Sequence, residues 1–260
     1  MLRFMLIRLL KWSLFILLIG RAWQHFFWSA PYEYILPASW GPDGVDHFTH
    51  LMGWFYVLGA AATLFSDSRN KGRIFIWQGG ALLVLAWLYQ IEAGAYWPSF
   101  FVHSLQFSLP FSYHLLLFSK KPVQQIIWRM KMAVSLSLLA YAFYALDIHA
   151  PNQINWQEAL QDSFGLSYGN SRLILQVMGA VELTLIPLLW FKPSQKTAFW
   201  GVFAWGILIM ISSIGLLFWE LPYWKSMLRS TWELLCLTPN LAFSYVLWRY
   251  VVFRQKYEDF

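Results

Sequence analysis

The chain has 260 residues, of which 58% are hydrophobic and only 12% are charged. Soluble domains carry about a quarter charged residues, so this composition excludes an ordinary soluble globule and predicts an integral membrane protein. The net charge of +6 does not indicate nucleic-acid binding, because the basic residues lie between apolar stretches and form no basic face.

Eight apolar stretches follow one another along the chain. Each has about twenty residues, which is long enough to cross a bilayer as an α-helix. The stretches cover residues 11–29, 47–65, 74–92, 100–118, 132–149, 173–191, 198–219 and 231–250. The sequence therefore predicts an all-α polytopic membrane protein with eight transmembrane helices.

Lys and Arg are concentrated in every second connection between these stretches. Of the 19 basic residues, those near the opposite side are Arg21, Arg172, Lys225 and Arg229. Because Lys and Arg mark cytoplasmic loops, both termini are predicted to be cytoplasmic. The expected location is a bacterial inner membrane. The lipid bilayer is the expected partner, a second membrane protein is an open alternative, and nucleic acid is not expected.

Short motifs recur at similar offsets in the two halves of the chain, which indicates an internal repeat. The corresponding pairs are Leu51-Met52-Gly53 with Val177-Met178-Gly179, Tyr96-Trp97 with Tyr223-Trp224, and, displaced by two residues, Pro110 with Pro239. Two four-helix units are therefore predicted, at residues 1–122 and 123–260. Because each unit has an even number of spans, the units share one orientation and are related by an axis along the membrane normal.

The residues around these motifs resemble a known family. Gly53 followed by Tyr56-Val-Leu-Gly-Ala, Gly179 followed by Val181-Glu-Leu-Thr-Leu-Ile-Pro, and the segment from Gly20 to Tyr32 are similar to DoxX-like four-helix membrane proteins. The segment also resembles the transmembrane part of vitamin-K-dependent carboxylases, but no Lys inside a stretch matches their catalytic lysine. The resemblance implies a tandem pair of four-helix units. It also implies a link to quinol oxidation or to other redox reactions.

Ionisable side chains inside apolar stretches are costly unless they face a protein interior, so their positions indicate a candidate site. In the first half they fall at one depth, near the predicted outer leaflet. They are Arg21, His25, His47, His50, Glu92 and His103, together with the polar Gln106. Spacings of three or four residues place neighbouring members of this set on one helix face. We therefore expect these side chains to converge within the first unit.

The chemistry of these side chains predicts their roles, since imidazole and carboxyl groups serve as acids, bases and metal ligands. The predicted catalytic residues are Arg21, His25, Glu92 and His103. The predicted metal ligands are His47, His50 and His103. The predicted cofactor-binding residues are Gln106, Arg172 and Glu182. The expected cofactor is a quinone or a His-bound transition metal.

Structural alternatives stand beside these roles. His47 and His50 are also typical of solvated residues at a helix start, and Glu92 and His103 are equally consistent with a structural hydrogen bond. His114 is predicted to make a hydrogen bond in the core. Glu182, near the middle of its stretch, is expected to be protonated, to pair with an arginine such as Arg172, or to serve a proton path.

Three classes of function are compatible with this sequence. The first is a protein with an outer-leaflet polar pocket that acts on a quinol-like or other lipophilic redox substrate. The second is a non-enzymatic membrane subunit or assembly partner. The third is a small-solute or ion transporter, for which parallel repeats and a buried carboxyl group are typical. Whether the chain is an enzyme stays open at this stage.

Overall fold

The computed structural model describes residues 2–65, 72–146, 154–220 and 223–258. Within these ranges the protein is all-helical, as predicted, with ten α-helices and no β-strand. The helices are α1 (Leu2–Phe27), α2 (Gly41–Leu64), α3 (Arg73–Glu92), α4 (Trp97–Val102), α5 (Ser104–Phe118), α6 (Val123–Ala145), α7 (Ile154–Phe164), α8 (Tyr168–Trp190), α9 (Gln195–Glu220) and α10 (Tyr223–Glu258).

Three helices in the described part of the chain, α3, α6 and α8, are long and apolar enough to cross a membrane. The structure therefore supports membrane-spanning helices, but it does not confirm all eight predicted spans. One reason is the fourth predicted span, which is divided between α4 and α5. The 15 residues of α5 extend for about 22 Å at 1.5 Å per residue, less than the roughly 30 Å of hydrocarbon in a bilayer.

The division between α4 and α5 occurs at His103. This residue has φ −86° and ψ 3°, and it is both the C-cap of α4 and the N-cap of α5. Its backbone N–H bonds to the carbonyl oxygen of Phe100, while its own carbonyl oxygen accepts bonds from Gln106 and Phe107. These backbone bonds allow the chain to turn here without leaving the polar groups of the break unpaired.

Helices α1, α4 and α5 of the first half pack against α6 and α10 of the second half. Helix α1 packs against α2, α5 and α10, and α6 packs against α4, α5, α8 and α10. Helix α10 also packs against α5 and α9. The end of α1, the α4–α5 break, α6 and α10 consequently surround the same region of the interior.

One hydrophobic core extends through both halves. On α1, Leu6, Leu10, Leu14 and Leu17 are fully buried at helical spacings, so one face of this helix lies in the core. A close approach of α1 and α10 is made possible by Gly20. A Cβ atom there would lie 2.7 Å from the Cβ of Leu235 and 3.1 Å from the Sγ of Cys236. This contact brings the next residue of α1, Arg21, into the interior between the halves.

Candidate functional site

Arg21 is the centre of a buried polar cluster. Its side chain is only 2% exposed. Its Nη1 donates to the Oε1 of Gln24 at 2.5 Å, and its Nη2 donates to the Oε1 of Gln106. The Nη2 also lies 3.4 Å from the Nδ1 of His103. The Nε atom is buried with no hydrogen-bond partner, so at least one of the five guanidinium N–H donors is unused.

His103 and Tyr89 form the other side of this cluster. Their rings are stacked, with centroids 5.0 Å apart. The guanidinium carbon of Arg21 lies 5.9 Å from the centre of the Tyr89 ring, while the Nε2 of Gln24 donates to the Tyr89 hydroxyl. Because Arg21 only donates, the Nδ1 of His103 must act as the acceptor in their contact, and the ring proton then lies on Nε2.

Two adjoining cavities open beside these side chains. The first has a volume of about 240 Å³ and lies against Arg21 and Gln106, with Cys236 and Glu233 of α10 opposite. The second has a volume of about 540 Å³ and extends past Glu92 and Ser99. The residues that line both cavities are Tyr89, Val102, His103, Tyr141 and Leu237. They come from α3, α4, the α4–α5 break, α6 and α10, so both halves of the chain enclose this space.

The structure brings three of the predicted site residues, Arg21, His103 and Gln106, into direct contact. Glu92 is exposed and lies at the wall of the larger cavity. It has no hydrogen bond to His103 among the described contacts, so the structural pairing of these two residues is not formed. His114 makes the predicted core hydrogen bond, with its Nδ1 2.9 Å from the carbonyl oxygen of Gly72.

His25 is buried but occupied by structural bonds. Its Nδ1 lies 2.7 Å from the carbonyl oxygen of Arg21, and its Nε2 lies 2.9 Å from the hydroxyl of Tyr32. A carbonyl oxygen only accepts, so Nδ1 carries the proton and Nε2 accepts from Tyr32. Burial raises the pKa of Tyr32, which keeps its hydroxyl protonated as the donor. Both ring nitrogens of His25 are thus engaged in holding the end of α1 against the following turn.

The predicted metal ligands do not form a cluster. His47 and His50 are exposed on α2, and the ring of His50 stacks on Phe26 with centroids 6.2 Å apart. His103 instead faces Arg21 in the interior. No group of three or more His, Cys, Asp or Glu side chains within the described ranges is arranged to hold a metal ion. The common depth predicted from the sequence did not bring these histidines together, because His47 and His50 lie on an exposed face of α2.

The two predicted cofactor-binding residues of the second half lie apart from each other. Arg172 is exposed, whereas Glu182 is 1% exposed. Ten residues of one helix separate them by about 15 Å, so the expected ion pair between them is not formed. Trp205 is placed to donate to the Glu182 carboxyl group, and the Oε2 atom of Glu182 is buried without a partner among the described residues.

Several residues of the cluster were not expected from the sequence. Gln24 and Tyr89 were missed, although each has a spacing of three to a predicted residue, Arg21 and Glu92 respectively, and this spacing was a usable signal. Tyr141 and Cys236 come from the second half, and no local pattern indicates that α6 and α10 contribute to this space.

Comparison with protein-family models, curated proteins and solved structures finds no match to this chain.

Proposed function

We propose that this chain is an eight-span integral membrane protein of a bacterial inner membrane, and that it binds a quinol-like lipophilic redox substrate in the cavity between its two halves. The observation that carries the proposal is the buried guanidinium of Arg21, which has no carboxylate partner among the described contacts and lines a cavity together with His103. A buried charge that is hydrogen-bonded only to neutral groups favours a ligand oxygen as an additional acceptor.

The proposed topology of two parallel four-helix units is supported by the pattern of helix contacts. Exchanging α1, α2, α3 and α5 for α6, α8, α9 and α10 converts the α1–α2 contact into α6–α8 and the α3–α5 contact into α9–α10. It also converts α1–α10 into α6–α5, and every one of these contacts is present. Gly53 and Gly179 support the same correspondence, since a Cβ atom on them would meet Phe26 and Leu146, at the ends of α1 and α6 respectively.

The chemistry of the cavity suits the head group of a quinone or quinol. Arg21 and the Nε2–H of His103 are donors for a carbonyl or phenolate oxygen, and Tyr89 and Tyr141 supply aromatic walls. The larger cavity lies within the range of about 300–1,000 Å³ that is typical of small-molecule sites. A lipophilic substrate would reach it from the bilayer, which is the main partner that we propose.

His103 has the position of a hydrogen-bond donor in this proposal, because its Nδ1 accepts from Arg21 and its ring proton lies on Nε2. A quinol loses two protons and two electrons when it is oxidised to a quinone. Arg21 and the Nε2–H of His103 donate to the substrate oxygen and stabilise the negative charge that develops there when its proton leaves to water. Both electrons pass to an oxidised redox cofactor of another membrane protein, and the second proton also leaves to water. The similarity to DoxX-like proteins agrees with this role but stays a prediction.

The proposal is tested by equilibrium dialysis of the detergent-purified protein against a short-chain ubiquinone, in its oxidised and reduced forms. We expect saturable binding and an increase in Kd of about ten-fold in His103→Ala, the equivalent of one lost hydrogen bond. His114→Ala is the matched control, because its imidazole bonds to Gly72 and not to the cavity. Absence of binding to the wild-type protein, or equal losses in the two variants, would overturn the proposal and favour a purely structural membrane subunit.

A further inference from the structure

A third cavity lies far from Arg21, at the other end of the same helices. It has a volume of about 310 Å³ and is enclosed by the start of α6, the α8–α9 turn and the last turns of α10. On α10, Arg254 at this cavity and Cys236 at the central one are 18 residues apart, which corresponds to about 27 Å along a helix. In the topology proposed above, this end of the molecule faces the cytoplasm.

The lining of this cavity is basic and rich in amide groups. Its polar residues include Lys131, Lys192 and Arg254, with Gln124, Gln195 and Gln255. No carboxylate is among the described residues that line it. Arg254 and Lys131 line the same cavity, so their like charges repel each other. Several N–H donors and cationic groups therefore face one space that is large enough for a phosphate group and its substituents.

Lys131 is held at this cavity by aromatic rings. Its Nζ lies 5.8 Å from the centre of the Trp190 ring and 5.6 Å from the centre of the Phe199 ring. Cation–π contacts of this kind fix the ammonium group and leave its charge uncompensated. Neither Lys131 nor Lys192 has an ion pair among the described contacts. Binding of an anion between these lysines would relieve the repulsion among the basic groups.

We propose that this cavity binds the phosphate-containing head group of an anionic phospholipid from the cytoplasmic leaflet. Lys131 and Lys192 would contact the phosphate, and the glutamine amides would donate to its oxygens or to neighbouring hydroxyls. A lipid fits better than free phosphate because large apolar side chains next to the cavity are exposed: Trp128, which lines it, by 55%, and Phe191, between the lining residues Trp190 and Lys192, by 63%. Acyl chains would cover these surfaces, and tryptophan is typical of the membrane–water interface.

This inference rests on the proposed membrane topology but not on quinone binding, so the two can fail separately. The test is native mass spectrometry of the purified protein titrated with phosphatidylglycerol, with phosphatidylcholine of the same acyl chains, and with inorganic phosphate as a competitor. We expect one tightly bound phosphatidylglycerol with at least ten-fold preference over phosphatidylcholine. Millimolar phosphate is expected to leave this lipid bound, since it lacks the acyl chains.

The variant Lys131→Gln is expected to weaken phosphatidylglycerol binding by about ten-fold, the loss of one charge-assisted contact. Lys192→Glu, a substitution at an exposed position, tests the same site without disturbing the core. The matched control is Lys120→Gln, which removes a basic residue from the same side of the protein but outside the cavity. Equal affinity for the two lipids, displacement by phosphate, or an equal effect of the control would overturn the proposal.

Discussion

The two halves of the molecule treat their buried charged residues in opposite ways. In the first half, Arg21 is connected to Gln24 and Gln106 by hydrogen bonds and contacts His103. In the second half, the equally buried Glu182 has Trp205 as its polar neighbour and keeps an oxygen atom without a partner. The structure thus holds one buried ionisable residue in a network and leaves the other nearly isolated.

This difference indicates which of the two residues belongs to a ligand site. A guanidinium with several fixed bonds is held in one orientation. Arg21 lines a cavity that residues of both halves surround. Glu182 is outside the described walls of that cavity. Substitutions can distinguish Arg21, which is hydrogen-bonded to its neighbours, from the nearly isolated Glu182. They can also distinguish residues that bind the ligand from residues that only support the fold.

The largest effect is expected for Arg21→Met. This change removes the guanidinium that donates to Gln24, Gln106 and His103, and it leaves their acceptor atoms unpaired in the interior. We expect a loss of about 3 kcal/mol in the free energy of unfolding, together with loss of measurable quinone binding. Denaturant-induced unfolding of the detergent-solubilised protein measures the first quantity, and equilibrium dialysis measures the second.

Arg172→Met is the matched control in the second half, because this arginine is exposed. Its expected cost is within about 0.5 kcal/mol. Equal destabilisation by the two substitutions would contradict the assignment of Arg21 as the organising residue of the interior.

A smaller effect on stability, without an effect on the ligand, is expected for His25→Phe. The substitution leaves the Tyr32 hydroxyl and the Arg21 carbonyl without their bonds to the imidazole, which costs about 2 kcal/mol. The wall of the cavity is unchanged, so the Kd for the short-chain ubiquinone is expected to stay within about two-fold. His50→Phe, at an exposed position, controls for the substitution itself. A large loss of quinone affinity in His25→Phe would contradict this purely structural role and would show that His25 belongs to the ligand site.

Much of the fold follows from the sequence, and the reasons are local. Apolar stretches of the right length predict helices. The common depth predicted for Arg21, His103 and Gln106 indicated that these residues lie near one another, as the structure shows. Spacing along a helix does not reveal which face meets the interior, so His47 and His50 were assigned to a cluster although they are exposed.

The contributions of Tyr141 and Cys236 depend on the packing of α6 and α10 against the first half. Such contacts are set by long-range complementarity, such as the close approach at Gly20, and no periodicity in the sequence reports them. The break at His103 is a second example. It shortens a helix that composition alone predicts as continuous, and it directs the imidazole towards Arg21.

The smallest effect is expected for Glu182→Gln, and it tests the comparison most directly. The amide has nearly the same shape as the carboxyl group, and Oε2 has no described hydrogen bond to lose. We expect a change in the free energy of unfolding below about 1 kcal/mol and an unchanged Kd for quinone. Thermal unfolding and equilibrium dialysis, with Arg21→Met measured in parallel, provide the two numbers. A ten-fold loss of quinone affinity would mean that Glu182 communicates with the cavity across the Tyr141–Trp205 contact, whose ring centroids are 4.9 Å apart. The two halves would then form one functional unit, and the contrast between a connected arginine and an isolated carboxyl group would no longer describe how the site is built.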